Sequence, residues 1–328
     1  MATYDVNVTS MQASAEFLGT GAVEINAYQT EIEDIVRRGS LVLPRLKQVR
    51  ATGAFHRFFE QVGIATAVAQ DPRNLSATPS GPTRMERPAA VKALTSQSNF
   101  SLYDLEVTKQ QGQFASVEAT DVQDIVSAIQ VKRGKMLWAG TDTSLAMPTT
   151  FEYVGLLTQI TLQATIAPGA SIIDGLKAEV AAMVSNQNYD VRPTAIILNP
   201  ILANYIDTEA KAAKIELKES IIAGVTVQAL ATTAGILPLI SDPYMPIAAG
   251  AAYGFGAPPA GSQNYFAAIV TEERIELPTL SIEGDPNPRV MQLGLVNDLN
   301  RKLVGVHFGC VIAIGPSYSH SIVCVQRP

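Results

Sequence analysis

Four of the five histidines and cysteines in the sequence fall together near its end: His307, Cys310, His320 and Cys324. Residues of these types could hold zinc, or the two thiols could oxidise to a disulfide. A structural zinc site sets its ligands on tight turns so that they converge. The apolar alternation here predicts instead a hairpin, strands 303–314 and 319–327 around Gly315, Pro316, Ser317 and Tyr318. His307 and Cys310 are an odd number of residues apart, so a regular strand sends them to opposite faces. The same hairpin would bring Cys310 and Cys324 close across the ladder, which makes a disulfide geometrically conceivable. Two cysteines are too few to staple 328 residues, and a reducing compartment is expected.

The other residue types that do chemistry are scattered. His56 stands beside Phe55, Phe58 and Phe59 and reads as a packed or surface side chain. No G-x-S-x-G, H-E-x-x-H or G-x-G-x-x-G occurs. Residues 256–261 have the glycine spacing of a phosphate loop, but Ser262 and Gln263 stand where Lys and Ser/Thr are needed. Glu272 and Glu273 are adjacent at a predicted strand end and diverge, unlike the facing carboxylates of a glycosidase. Tyr244 and Met245, between Pro243 and Pro246, read as a packed turn. The expectation is no catalytic residue, no cofactor site and no metal site.

Charge is organised more clearly. The first 34 residues hold six acids (Asp5, Glu16, Glu24, Glu31, Glu33, Asp34) and no Lys or Arg. Residues 35–59 then hold Arg37, Arg38, Arg45, Lys47, Arg50 and Arg57 with no acid. A helix opening at Glu31 and stopping at Gly39 accounts for the first two arginines, because bases suit a helix C-terminus. The four later bases are read with them as a run facing phosphate, which would contact a nucleic-acid backbone without reading its sequence.

The elements that must position these groups follow from pattern. Residues 70–90 carry four prolines with Ser, Thr and Asn and no apolar period, so they read as a loop. Its flanks, 63–69 and 91–109, read as the strands of a long two-stranded arm, which needs a partner surface because isolated ribbons are marginal. Thr120 and Gln123 form a capping-box pattern ahead of Val122, Ile125, Val126 and Ile129, with Gly134 as an interruption. Further helices are predicted from Ser171 and from Asn199–Pro200, and strands at 193–199, 221–230 and 236–240. From Tyr265 onward the chain reads as mostly β. Helices and strands without regular βαβ alternation argue for the α+β class.

Composition bounds the function. Apolar residues are 47% and charged ones only 16%, below the roughly 25% of an average soluble domain. Such a surface is easier to bury against other proteins than to leave in water. The net charge of -6 gives no overall drive toward nucleic acid or anionic lipid. The longest apolar runs, such as 303–314, fall short of the about 20 residues a membrane helix needs, so no membrane span is expected. Residues 1–10 show no signal-peptide pattern.

One ordered set of segments is distinctive. An arm with a Pro-rich tip precedes a helix and KMLWAGTDTSLAMPTTFEYVGLLTQI (135–160). A second helix leads to PTAIILNPILANYI (193–206) and GVTVQALATTAGILPLISDPYMP (224–246). This order resembles the major capsid proteins of tailed bacteriophages, with the Hong Kong 97-like fold. The turn at Gly140–Asp142 and the Gly155–Leu157 segment match the family's glycine turn and Gly-Leu-Leu after its spine helix. Asn199 and Pro200 match its strand, Asn-Pro, helix junction, and residues 235–246 match the end of its apical domain.

The resemblance implies an N-terminal arm (1–59), an extended loop (60–115), a spine helix near 119–138, a peripheral domain (116–167 and 263–328) and an apical domain (168–262). It further implies a subunit that self-assembles into pentamers and hexamers of an icosahedral shell around double-stranded DNA, located in the virion capsid and assembled in the host cytoplasm. The arm has no room for the long scaffolding extension of some relatives, so a separate scaffolding protein, or none, is implied; the resemblance also implies a portal protein and a decoration protein as partners. Lys92 and Lys109 lie in or near the loop, but nothing marks a crosslinking partner. Competing readings are an encapsulin-like compartment holding a cargo enzyme, an enzyme with no recognised motif, and another phage structural protein.

Overall fold

The computed structural model describes residues 40–73, 81–101, 103, 114–215, 217–222, 225–280, 288–296 and 300–328. The predicted helix at 31–39, with Arg37 and Arg38, lies outside them.

A continuous apolar strand is buried on both faces, and three such strands organise this chain. They are β6 (Ala195–Leu198), β11 (Gln263–Val270) and β16 (Ser321–Arg327). Strand β11 lies between the other two and pairs antiparallel with both. Around them a larger sheet runs in the order β5 (Gln163–Ile166), β16, β11, β6, β9 (Gly235–Ser241), β8 (Val225–Thr232), β7 (Lys218–Ile222), with β10 (Ile247–Ala248) beside β11. Alternate residues enter two cores. Phe266, Ala268, Val270, Ile322 and Cys324 face a cluster with Leu137, Trp138, Leu156 and Leu157. Tyr265, Ala267, Ile269, Val323 and Val325 face the second, with Ile173, Leu176, Val180, Leu202 and Ile206.

The long helix α1 (Phe114–Ala139) is followed by the short α2 (Leu156–Gln159), then by α3 (Ile172–Val184) and α4 (Pro200–Ala213). The predicted caps of α3 and α4 are present: Ser171 accepts the Asp174 N–H and Asn199 accepts the Ile201 N–H. Glu209 of α4 adds a second cap to α3, accepting from the Ser171 hydroxyl at 2.6 Å and the Ile172 N–H at 2.9 Å. Helix α1 begins before the expected Thr120 cap and runs straight through Gly134. That glycine is needed for packing: a Cβ there would lie 2.6 Å from the Tyr244 ring. The helix ends at Gly140, where a Cβ would lie 2.0 Å from the Tyr153 carbonyl oxygen.

The second sheet runs β1 (Lys47–Arg50), β12 (Ile275–Thr279), β14 (Asn300–Gly309), β13 (Arg289–Val296); β4 (Lys92–Ser101) pairs with β14 and β15 (Ile312–Ala313) with β12. Ile125 and Ile129 of α1 pack on Leu303 of this sheet.

Three strand readings are corrected. The arm is a two-stranded ribbon of β2 (Phe55–Gln61) and β3 (Arg84–Ala90), and residues 63–69 are not a strand. The prolines of 70–90 masked β3; Pro88 is tolerated because both strands of a ribbon are edges. Residues 221–230 are two strands, β7 and β8. Residues 303–314 and 319–327 do not form a hairpin, because β14 and β16 belong to different sheets.

Candidate assembly surface

The loss of that hairpin removes the geometry imagined for His307, Cys310, His320 and Cys324. Both cysteines are free and buried, and no metal-binding cluster exists among the described residues. Burial pushes the Cys310 thiol up to about 12 and the Cys324 thiol up to about 11. Burial, with the Arg133 charge, pushes His307 down to about 3, and burial pushes His320 down to about 4. These are neutral packing groups.

The basic segment is placed against acids distant in sequence. Arg45 grips Glu272 with both arms of its guanidinium, at 2.5 and 2.8 Å. Strand β1 runs parallel to β12 with Lys47 opposite Glu276, and Lys47 Nζ donates to that carboxylate at 2.6 Å. Arg57 meets Glu86 across the ribbon at 3.1 Å. The hydrogen bond to Glu272 raises the Arg45 pKa, and that to Glu276 raises Lys47. Arg50 ends β1 exposed to solvent. The segment thus fastens itself to the body through Arg45 and Lys47 and leaves Arg50 free of any ion pair among the described residues.

The ribbon is the conspicuous surface. Its inner face buries Phe58 and Ala89. Its outer face leaves Phe59 73% exposed, with Phe55 also exposed; Met85 on the inner face and Val62, Ile64 and Val68 beyond β2 are exposed as well. Beside its root, the loop before α2 leaves Phe151 96% exposed and Met147 78% exposed. Large apolar side chains left exposed on one ribbon and at its root mark an interaction site.

The root of the ribbon is held by polar contacts that motif reading missed. Lys92, where β4 begins, donates to Asp142 Oδ2 at 3.1 Å and to the Thr150 carbonyl. Asp142 is 1% exposed and also accepts from Thr143 N–H, Thr149 N–H and the Thr149 hydroxyl. Burial alone would raise its pKa, but these hydrogen bonds outweigh burial and hold the carboxyl well below the usual carboxylate range. The fully buried Asp242 accepts from Ser40, the Trp138 indole and the Tyr244 N–H at 2.9–3.0 Å. The Asp-Pro turn at 242 was visible in sequence; its partners, 104 and 202 positions away, were not.

Two packed sheets, a long helix and a projecting ribbon define an α+β architecture, the Hong Kong 97-like fold. Solved structures of that fold match over nearly the whole chain. The capsid of a native GTA particle matches with a TM-score of 0.61 and 12% identity, over 93% of this chain and 96% of that one. A Mycobacterium phage Bobi chain matches with a TM-score of 0.57 and 14% identity, over 93% and 96%. The SrpI encapsulin of Synechococcus elongatus PCC 7942 matches with a TM-score of 0.55 and 9% identity, over 95% and 94%. No sequence-family model and no curated protein sequence matches.

Proposed function

We propose that this chain is a major capsid protein: a structural, non-enzymatic subunit that self-assembles into pentamers and hexamers of an icosahedral shell around double-stranded DNA. The observation that carries the reading is the ribbon, whose apolar outer face at Phe55 and Phe59 is left uncovered by the described residues of its own subunit. The shared fold with phage capsid chains supports it. In this reading residues 1–59 are the arm, 60–115 the extended loop, 116–167 with 263–328 the peripheral domain, and 168–262 the apical domain. The basic run faces inward toward phosphate. Arg50 carries that role among its described members, with Arg37 and Arg38 assigned to it from sequence alone. Portal, scaffolding and decoration proteins are the proposed partners, and the virion capsid, assembled in the host cytoplasm, is the proposed location.

The similarity to an encapsulin supports a second reading, a compartment around a cargo enzyme. Electron microscopy with light scattering on the purified chain, alone and with a candidate scaffolding protein, tests the assembly reading. Closed shells or rings of five and six are expected; a monodisperse monomer in both conditions overturns it. The ultraviolet absorbance ratio of the particles then separates DNA from protein contents.

A further inference from the structure

The ribbon leaves the body of the subunit beside one buried carboxylate. Glu60 is 7% exposed, and its Oε1 accepts the Gly315 N–H at 2.9 Å, 255 positions away. Its Oε2 lies 2.8 Å from Arg87 Nε on the facing strand. Inward of Glu60 the ribbon is anchored by Phe58 and Ala89 in the core and by the Ala90 N–H on the Leu145 carbonyl at 2.9 Å. Outward, every described residue from 61 to 73 is exposed except the half-buried Gly63, and residues 81–86 on the return are exposed too. Glu60 is therefore the outermost buried side chain of the ribbon among the described residues.

Its receiver is rigid. Gly315 sits at φ +69°, and a Cβ there would lie 2.6 Å from the Tyr318 ring and 2.7 Å from Ser319 Oγ. Tyr318 is itself stacked on Tyr189 with ring centres 4.0 Å apart. The other side of the contact has room to move. A groove of about 480 Å³ opens beside it, lined from the ribbon by Phe58, Met85 and Arg87 and from the body by Leu145, Ala146 and Pro316. A fixed N–H, a buried acceptor on a two-stranded lever and an empty space beside the lever together make a latch.

We infer that Glu60 is the residue that sets the bearing of the ribbon on the body, through its hydrogen bond to the Gly315 N–H. With the bond made, the groove stays open and the ribbon holds one direction; without it, the ribbon pivots about its root at Phe58 and Ala89 and samples the groove. Arg87 has the secondary task of keeping the carboxylate near, through its positive charge 2.8 Å from the oxygen that Gly315 does not use. The inference concerns the single subunit and stands whether or not the shell reading holds.

Spin labels on the dispersed full chain test it, one on the ribbon (Val62→Cys) and one on α1 (Lys135→Cys). Both sites are exposed, while Cys310 and Cys324 are buried away from the label. The wild-type background is expected to give one narrow distance distribution. Glu60→Gln keeps an oxygen for Gly315 and retains that distribution. Glu60→Leu keeps the bulk, loses the acceptor and broadens or splits it. A Leu variant with the native distribution, or a Gln variant as broad as the Leu one, overturns the inference. Should the Leu variant fail to fold, hydrogen exchange at Gly315 in the unmodified chain decides. An amide slowed at least about tenfold relative to an open amide is expected, and one exchanging at the open rate overturns the latch.

Discussion

Replacing a helix-interior glycine by alanine ordinarily stabilises a protein by about 1 kcal/mol, because alanine loses less backbone freedom on folding. At Gly134 the structure reverses that sign. The added Cβ would lie 2.6 Å from Tyr244 Cδ2 and 2.9 Å from Cε2, so the ring must retreat by roughly 1 Å to reach normal carbon contact. Tyr244 packs against the main core and its N–H is tied to Asp242 at 3.0 Å, so the ring cannot simply rotate into solvent. Overpacking of this kind costs about 1–3 kcal/mol, which turns the expected gain into a net loss of up to about 2 kcal/mol. A double-mutant cycle isolates the effect. In a Tyr244→Ala background the obstacle is gone, and Gly134→Ala should stabilise by about 1 kcal/mol, giving a coupling of about 1–3 kcal/mol between the sites. The assay is urea unfolding of the dispersed chain. A Gly134→Ala variant that is more stable than wild type, with the two substitutions additive within about 0.5 kcal/mol, would refute the packing argument.

Three further outcomes are expected. His307 and His320 stay neutral in the folded chain while the unfolded chain binds protons below about pH 6.5, so stability is lost as pH falls from there toward 4; for His320 the loss approaches about 3 kcal/mol at ~1.4 kcal/mol per pH unit. Urea midpoints at stepped pH read this directly, and a curve flat between pH 7 and 4.5 contradicts it. Cys310 and Cys324, buried with raised pKa values, should react with a thiol reagent at least about 100-fold more slowly in the native chain than in denaturant. Arg50→Glu should lower the DNA content of particles while empty shells still form; it is a cleaner probe than Arg45 or Lys47, whose reversal would also break their pairs with Glu272 and Glu276.

What could be read in advance was local. Ser171 and Asn199 declare their helices because a cap is a contact within three residues, and 195–198 declares its strand because a doubly buried strand has no polar side. What escaped was set by distant partners. Strand β2 is written in Phe55, Arg57 and Phe59 alternating with His56, Phe58 and Glu60, but the bases in that segment drew attention to charge. The acids that neutralise Arg45 and Lys47 are 227 and 229 positions away, and no one-dimensional charge count pairs them. The pairing of β14 with β4 rather than β16 is likewise a choice among competing edges, which tertiary packing makes. The Lys92–Asp142 pair and the Glu60–Gly315 bond leave no motif, since each is one polar group meeting another across the fold.

The position of β16 also has a consequence for the order of events during synthesis. This strand lies between β5 and β11 and contributes to both cores, yet its residues, 321–327, are made after every other described strand of the two sheets. Until they emerge, β5 has no neighbour in the sheet, and one long edge of β11 stands open with apolar residues on both sides. Unpaired edges of this sort invite misassociation. A nascent chain is thus held short of its native state until 321–327 emerge, and a chain broken off before 321 lacks the strand that joins the two cores. Emergence of 321–327 and closure of both cores become a single event, so chains terminated before 321 are excluded from the native population.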